Sequence, residues 1–181
     1  MRALTRTLSL PLALSAAALA GCAGPMAGHD HGHGPSAVAS LAPTQGNTAT
    51  GSVMFHEMGG HLMVHARISG LKPNAEHGFH IHEKGDCSAP DGTSAGGHFN
   101  PTGQPHGPQG AAHHAGDLPA LKADANGVAE LRVHLDGPTV SAGPASIIGR
   151  GLIVHAMPDD YTTQPTGNSG ARIACGVIAA H

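Results

Sequence analysis

An antiparallel all-β fold, arranged as a Greek-key sandwich or flattened barrel with long functional loops, is what this chain of 181 residues predicts. Three observations carry that expectation. Apolar and polar residues alternate with a period of two in several short runs, the pattern of half-buried strands. After the N-terminal segment no helix-length pattern of period 3.6 occurs. Turns are abundant, with 27 glycines and 14 prolines, and a core with 3 Phe, 1 Tyr and no Trp must be built from Val, Ile, Leu, Ala and Met. The length suits one domain of ordinary size.

Taken from the N-terminus, Arg2 and Arg6 precede an apolar run from Leu8 to Leu19, which leads into Leu19-Ala20-Gly21-Cys22. Basic, apolar and small residues in that order form an export signal over residues 1–21, too short for a spanning helix with ordinary flanks. The final tetrapeptide resembles a bacterial lipobox, which implies cleavage before Cys22 and lipid on its sulfur. The expected location is therefore the periplasm or cell envelope, with a membrane anchor at Cys22. From 22 to 47 Ala, Gly, Pro, Ser and His dominate without periodicity, so a flexible tether is expected there. Within it, His29-Asp30-His31-Gly32-His33 has the composition of a loose divalent-metal binder. The folded domain is assigned to 48–181.

Strand signals follow. Ser52 to Glu57 and His61 to Ile68 flank Met58-Gly59-Gly60, a hairpin in which glycine supplies positive φ. Leu62, Val64, Ala66 and Ile68 alternate with Met63, His65 and Arg67, so the first set faces the core. His56, His61 and His65 then fall on the outer face, and His77 opens the next strand without an evident partner. His80-Ile81-His82 puts two imidazoles on one face of a strand, because side chains i and i+2 share a face. The Gly-rich stretch from Gly96 to Asp117 reads as one long ordered loop, a length that usually marks function. Asp124-Ala125-Asn126-Gly127 separates Leu118 to Leu121 from Val128 to Leu135, and Asn-Gly is a strong hairpin signal. His134 should face solvent. Short helical or irregular pieces are expected from Pro144 to Ile148, and Leu152-Ile153-Val154-His155 is a second β-branched run ending on a histidine.

Imidazole and carboxylate are ligands for zinc and copper. His80, His82, His98, His106, His114, Asp117 and His155 are numerous enough to hold two ions. Without Arg2 and Arg6 the chain has 7 basic against 12 acidic residues, a net charge near −5 with neutral histidines. That balance argues against nucleic acid as a partner. It also sets a problem for any anionic substrate.

Five separated motifs now share one pattern: Gly78-Phe79-His80-Ile81-His82, Gly97-His98-Phe99-Asn100-Pro101, Gly116-Asp117-Leu118, Gly149-Arg150-Gly151-Leu152-Ile153-Val154-His155, and Gly170-Ala171-Arg172-Ile173-Ala174-Cys175-Gly176-Val177-Ile178. In this order, from about Gly51 to Ala180, the chain resembles a copper/zinc superoxide dismutase of the bacterial envelope type. The resemblance implies dismutation of superoxide to dioxygen and hydrogen peroxide. It implies copper on His80, His82, His98 and His155, and a structural zinc on His98, His106, His114 and Asp117. His98 is counted twice because a deprotonated imidazole can bridge two metals, and it doubles as a catalytic proton store. Arg172 matches the catalytic arginine beside copper, able to focus field locally although the whole chain is negative. Asp159 matches the carboxylate that links a copper histidine to a zinc histidine. Thr166 and Gly167 match the loop at the channel mouth. Tyr161 to Gln164 stand where many eukaryotic relatives carry charged steering residues, leaving Lys84 as a substitute. His114 is chosen over His113 by its three-residue spacing to Asp117.

With Cys22 lipidated, Cys87 and Cys175 remain as an even pair in an oxidising compartment, where a disulfide is expected; the family has this bridge too. Closing a loop of that size is worth roughly 4–5 kcal/mol in the chain-entropy picture. Bacterial relatives often dimerise, so a homodimer is an expectation from the resemblance alone. The competing reading is an envelope lipoprotein that binds or delivers copper and zinc without turnover, which the His-rich tract supports. A hydrolytic zinc enzyme fits less well, because three histidines and a carboxylate leave no open position for water.

Overall fold

The computed structural model describes residues 34–181. The export signal, Cys22 and the His29 to His33 tract lie outside the described residues. Within them the strands are β1 Ser36–Pro43, β2 Thr50–Met58, β3 His61–Ser69, β4 Glu76–His77, β5 Phe79–His82, β6 Leu121–Lys122, β7 Ala129–Leu135, β8 Gly151–His155 and β9 Arg172–Ala180, with a single 3-10 turn at Thr93–Ala95. Seven form one antiparallel sheet in the order β5-β8-β9-β1-β2-β3-β7, and β4 pairs with β6 separately.

The β2–β3 hairpin forms where expected, with Met58 opposite His61 across Gly59 and Gly60, both at positive φ. Leu62, Val64, Ala66 and Ile68 are buried with Val53 and Phe55. Phe79 and Ile81 of β5 belong to the same apolar cluster as Ala129 and Leu135 of β7. Opposite edges of a seven-stranded sheet meet in one core only if the sheet curls on itself, as a flattened half-barrel does.

Two expectations need correction. The tether assigned to 22–47 is not structureless throughout, because Ser36–Pro43 is a central strand paired with both β2 and β9. Its inward residues Ala37, Ala39 and Leu41 are buried. The weak strand propensity of Ala37 and Ala39 hid the alternation. Asn126-Gly127 does make a turn, with Gly127 at φ 72°. The strands it joins pair elsewhere, however, β6 with β4 and β7 with β3. The stretch from Pro144 to Ile148 is irregular.

Strands β5 and β8 are buried at every position, which requires cover on both faces. The core covers one; over the other lie Ala95 and the Cys87–Cys175 pair at Ile153 of β8 and, on β5, the long loop. Its two ends pair onto β5: the Phe99 N–H donates to Ile81 O at 2.8 Å, the Ile81 N–H to Gly116 O at 2.8 Å and the Leu118 N–H to Phe79 O at 3.2 Å. Gly116 is required at this approach, since a Cβ there would lie 2.2 Å from Ile81 O. Cys87 and Cys175 are bridged, tying the segment after β5 to β9 across 88 positions.

Candidate metal centre

Strand geometry aims the first donors. His80 and His82 project from β5 away from the apolar core, and the pairing of the loop onto β5 sets His98 opposite His82 and Asp117 opposite His80. A one-residue bulge at Ile173 of β9 brings His155 opposite Arg172. Bulges of this kind re-aim side chains beside active sites. His80, His82, His98, His106, His114, Asp117, His155 and Asp159 are all at most 7% exposed.

Two quartets result: His80, His82, His98 and His155, and His98, His106, His114 and Asp117. Within each, one ligand atom per residue lies within 4.8 Å of the others, and His98 belongs to both. His113, the neighbour of His114, turns away to the Ala111 carbonyl.

Hydrogen bonds decide which nitrogen of each ring faces inward. Asp159 accepts from His80 Nε2 at 2.7 Å through one oxygen and from His106 Nε2 at 2.9 Å through the other. His82 Nδ1 donates to Gly96 O at 2.9 Å and His155 Nδ1 to Gly170 O at 3.1 Å. A carbonyl only accepts, so the ring proton sits on the bonded nitrogen and the lone pair points the other way. Those lone pairs converge. His82 Nε2 and His155 Nε2 are 3.4 Å apart, and neither is left a proton to donate. His80 Nδ1, His98 Nε2 and His106 Nδ1 are buried without a hydrogen-bond partner. Leaving such atoms unpaired costs about 1–3 kcal/mol each, and a cation at the centre of each quartet removes the cost. The donors fit the ions: imidazoles alone suit copper, and three imidazoles with a carboxylate close a zinc tetrahedron.

Electrostatics keep the ligands in their binding forms. Burial pushes His82 down to about 2 and His155 down to about 4, against the opposing pull of their carbonyl partners. Burial also holds His80 well below the ordinary imidazole range, and lowers His114. For Asp117 burial works in the opposite direction, but the His98 hydrogen bond, the neighbouring His106 and the His114 N–H outweigh it and bring the carboxyl to about 2. Neutral imidazoles and an ionised carboxylate are the metal-ready states.

Arg172 is half-buried, with Nη1 on Gly92 O at 2.7 Å and Nη2 on Gly96 O at 2.6 Å. Gly96 O thus holds both His82 and Arg172. Lys84 is exposed on the segment after β5. Gly167, at φ 66°, packs against the linking carboxylate, where a Cβ would lie 1.9 Å from Asp159 Oδ1.

Three contributors escaped the sequence reading. Gln164 accepts from the His106 main-chain N–H and donates to its carbonyl, both at 2.8 Å. Tyr161 stacks on the His106 ring within 4° of parallel. His77 is buried and its Nδ1 lies 2.8 Å from His155 O. Each acts across more than 40 positions of sequence, and only the absence of charge from Tyr161 to Gln164 hinted at a different task there.

A family profile for copper/zinc superoxide dismutase (SODC) matches residues 49–178. The chain belongs to the copper/zinc superoxide dismutase family. It is 41% identical over 147 residues to superoxide dismutase [Cu-Zn] 2 of Aquifex aeolicus, covering 77% of this chain and 84% of that one. It is 43% identical over 149 residues to superoxide dismutase [Cu-Zn] of Paramecium bursaria Chlorella virus 1, covering 78% of each. The crystal structure of a SOD-like protein from Bacillus subtilis superposes with a TM-score of 0.71 at 38% identity, over 81% of this chain and 97% of that one. As a copper/zinc superoxide dismutase by family, the chain is an enzyme with copper and zinc as cofactors, and its two donor quartets have the ligand types those ions take.

Proposed function

We propose that this chain dismutates superoxide, with copper held by His80, His82, His98 and His155, and zinc by His98, His106, His114 and Asp117. One observation carries the assignment: His98 is shared by the two quartets, and its Nε2 is buried without a partner while Nδ1 lies 2.8 Å from Asp117. Two superoxide anions and two protons become dioxygen and hydrogen peroxide. When bound, copper supplies the one-electron exchange in each direction, and zinc supplies a fixed charge that does not cycle. Arg172 draws in and orients the anion; it pairs with His155 across β8–β9, and its guanidinium, held on Gly92 O and on the Gly96 O that also receives His82, offsets the negative charge of the chain locally. His98 Nε2 takes up and returns a proton. Asp159 holds N–H on the outer nitrogens of His80 and His106, which keeps both rings oriented through the cycle.

The setting is the bacterial envelope, with the mature chain anchored through lipidated Cys22. The export signal and lipobox-like tetrapeptide support that placement, as does the Cys87–Cys175 disulfide, a bond characteristic of oxidising compartments.

Superoxide decay after rapid mixing tests the reaction, using metal-loaded protein lacking residues 1–22 beside a His82→Ala variant and a copper-free, zinc-loaded sample. Fast decay that vanishes in both controls is expected. Stoichiometric copper without decay would replace catalysis with metal carriage. For the anchor, mass analysis of the Cys22 peptide from a bacterial membrane fraction should show added lipid, and an unmodified peptide would remove the claim.

A further inference from the structure

The outer face of β2, β3 and β7 carries sulfur and imidazole where strands more often place β-branched or aromatic side chains. Met54, His56 and Met58 point outward on β2, His61, Met63 and His65 on β3, and Arg132 and His134 on β7. Strand register sorts them into rows. His56 is opposite Met63 and Met63 is opposite His134; in the next row Met54 is opposite His65 and His65 is opposite Arg132. Directly opposed residues have Cβ atoms about 4.5–5.5 Å apart. His56, Met63 and His134 therefore form a nitrogen–sulfur–nitrogen row across three adjacent strands, and they line one surface depression together with Met54, His65 and Arg132.

The donors are available. His61 is engaged by Asp136, but the rings of His56, His65 and His134 make no hydrogen bond to a described residue. Met54 is 37% exposed, so its thioether is not there to fill a core. Methionine has three rotatable bonds and a polarisable sulfur, which lets Met63 reach toward either neighbouring histidine.

Thioether with imidazole is a soft donor set that selects monovalent copper over harder divalent ions. The row itself contains no carboxylate or thiolate, and Arg132 on one side is offset by Asp136 on the other, which His61 engages, so donor softness rather than charge sets the preference. We propose that His56, Met63 and His134, with Met54 and His65 as flanking donors, bind one monovalent copper ion on the outer face of the sheet. The site is separate from both buried quartets, whose donors are nitrogen and oxygen only, and it does not depend on which quartet takes which metal. Being at the surface, this ion exchanges freely, whereas an ion in the quartets lies behind the long loops.

The test uses the full mature chain with both quartets loaded, reduced and titrated anaerobically with copper(I) against a chromophoric chelator. One further equivalent is expected, with sulfur in its X-ray absorption shell. Met63→Leu should weaken that equivalent at least tenfold and remove the sulfur signal, while circular dichroism and superoxide decay stay unchanged. Deleting His29 to His33 should leave it in place. The proposal is overturned if no further equivalent binds, if it binds without sulfur, if Met63→Leu retains full affinity, or if the deletion abolishes binding.

Discussion

Asp159 shows how one carboxylate can orient two donor quartets. Each of its oxygens holds the outer nitrogen of a different histidine, His80 in one quartet and His106 in the other. An asparagine side chain of the same shape has a single acceptor oxygen, and its amide group would face an N–H. Asp159→Asn should therefore lower the affinity of at least one quartet by about 10–100-fold, the usual cost of losing a partner behind a ligand. Chelator competition, read separately for copper and zinc, measures it. Gln164 makes a narrower prediction. Apart from a local bond to Thr162 O it clamps the main chain of His106, which belongs to one quartet, so Gln164→Ala should weaken zinc by about tenfold and leave copper affinity unchanged. Equal losses of both metals would show that the clamp supports the whole loop rather than His106.

The segment between β5 and the long loop works as an element through its disulfide. Cys87 fixes it to β9, and its Gly96 carbonyl receives both His82 Nδ1 and Arg172 Nη2. Replacing Cys87 and Cys175 by serine should cost about 2–5 kcal/mol of stability and should also slow superoxide decay, because two site residues lose a common support. Loss of stability with an unchanged rate in the folded fraction would separate the two effects. The same element shows what the sequence made legible. His80 and His82 were readable because strand periodicity is local, and His114 because its spacing to Asp117 is short. β1 was not readable, since Ala37 and Ala39 gain their meaning only from the curl of a sheet assembled by distant strands. Tyr161, Gln164 and His77 were equally hidden, as each acts on a ligand that the chain brings near only after folding.

Across the whole molecule, burial of so many ionisable groups ties stability to pH in the metal-free protein. His155 is lowered to about 4 and His82 to about 2, while His80 is also held far down. In the unfolded chain each would titrate near 6.5. Between that value and the folded one, the unfolded state binds more protons, so stability rises with pH and falls as the solution is acidified. The full contribution is present above about pH 6.5; it is lost progressively through about 4 for His155 and on toward about 2 for His82. Asp117, lowered to about 2, adds a loss of the same sign below the ordinary carboxylate range. From pH 6.5 to 5 most exposed carboxylates remain ionised, so this window isolates the histidines, each worth on the order of 1–2 kcal/mol. Bound metal competes with protons for the same lone pairs, so loaded protein should keep its stability until the ions leave. Urea unfolding at pH 7, 6 and 5 provides the check: the metal-free midpoint should fall steeply and the loaded one much less. A metal-free midpoint that stays flat over this range would mean that the quartets accept protons while folded, and that their convergence is held by something other than neutral rings.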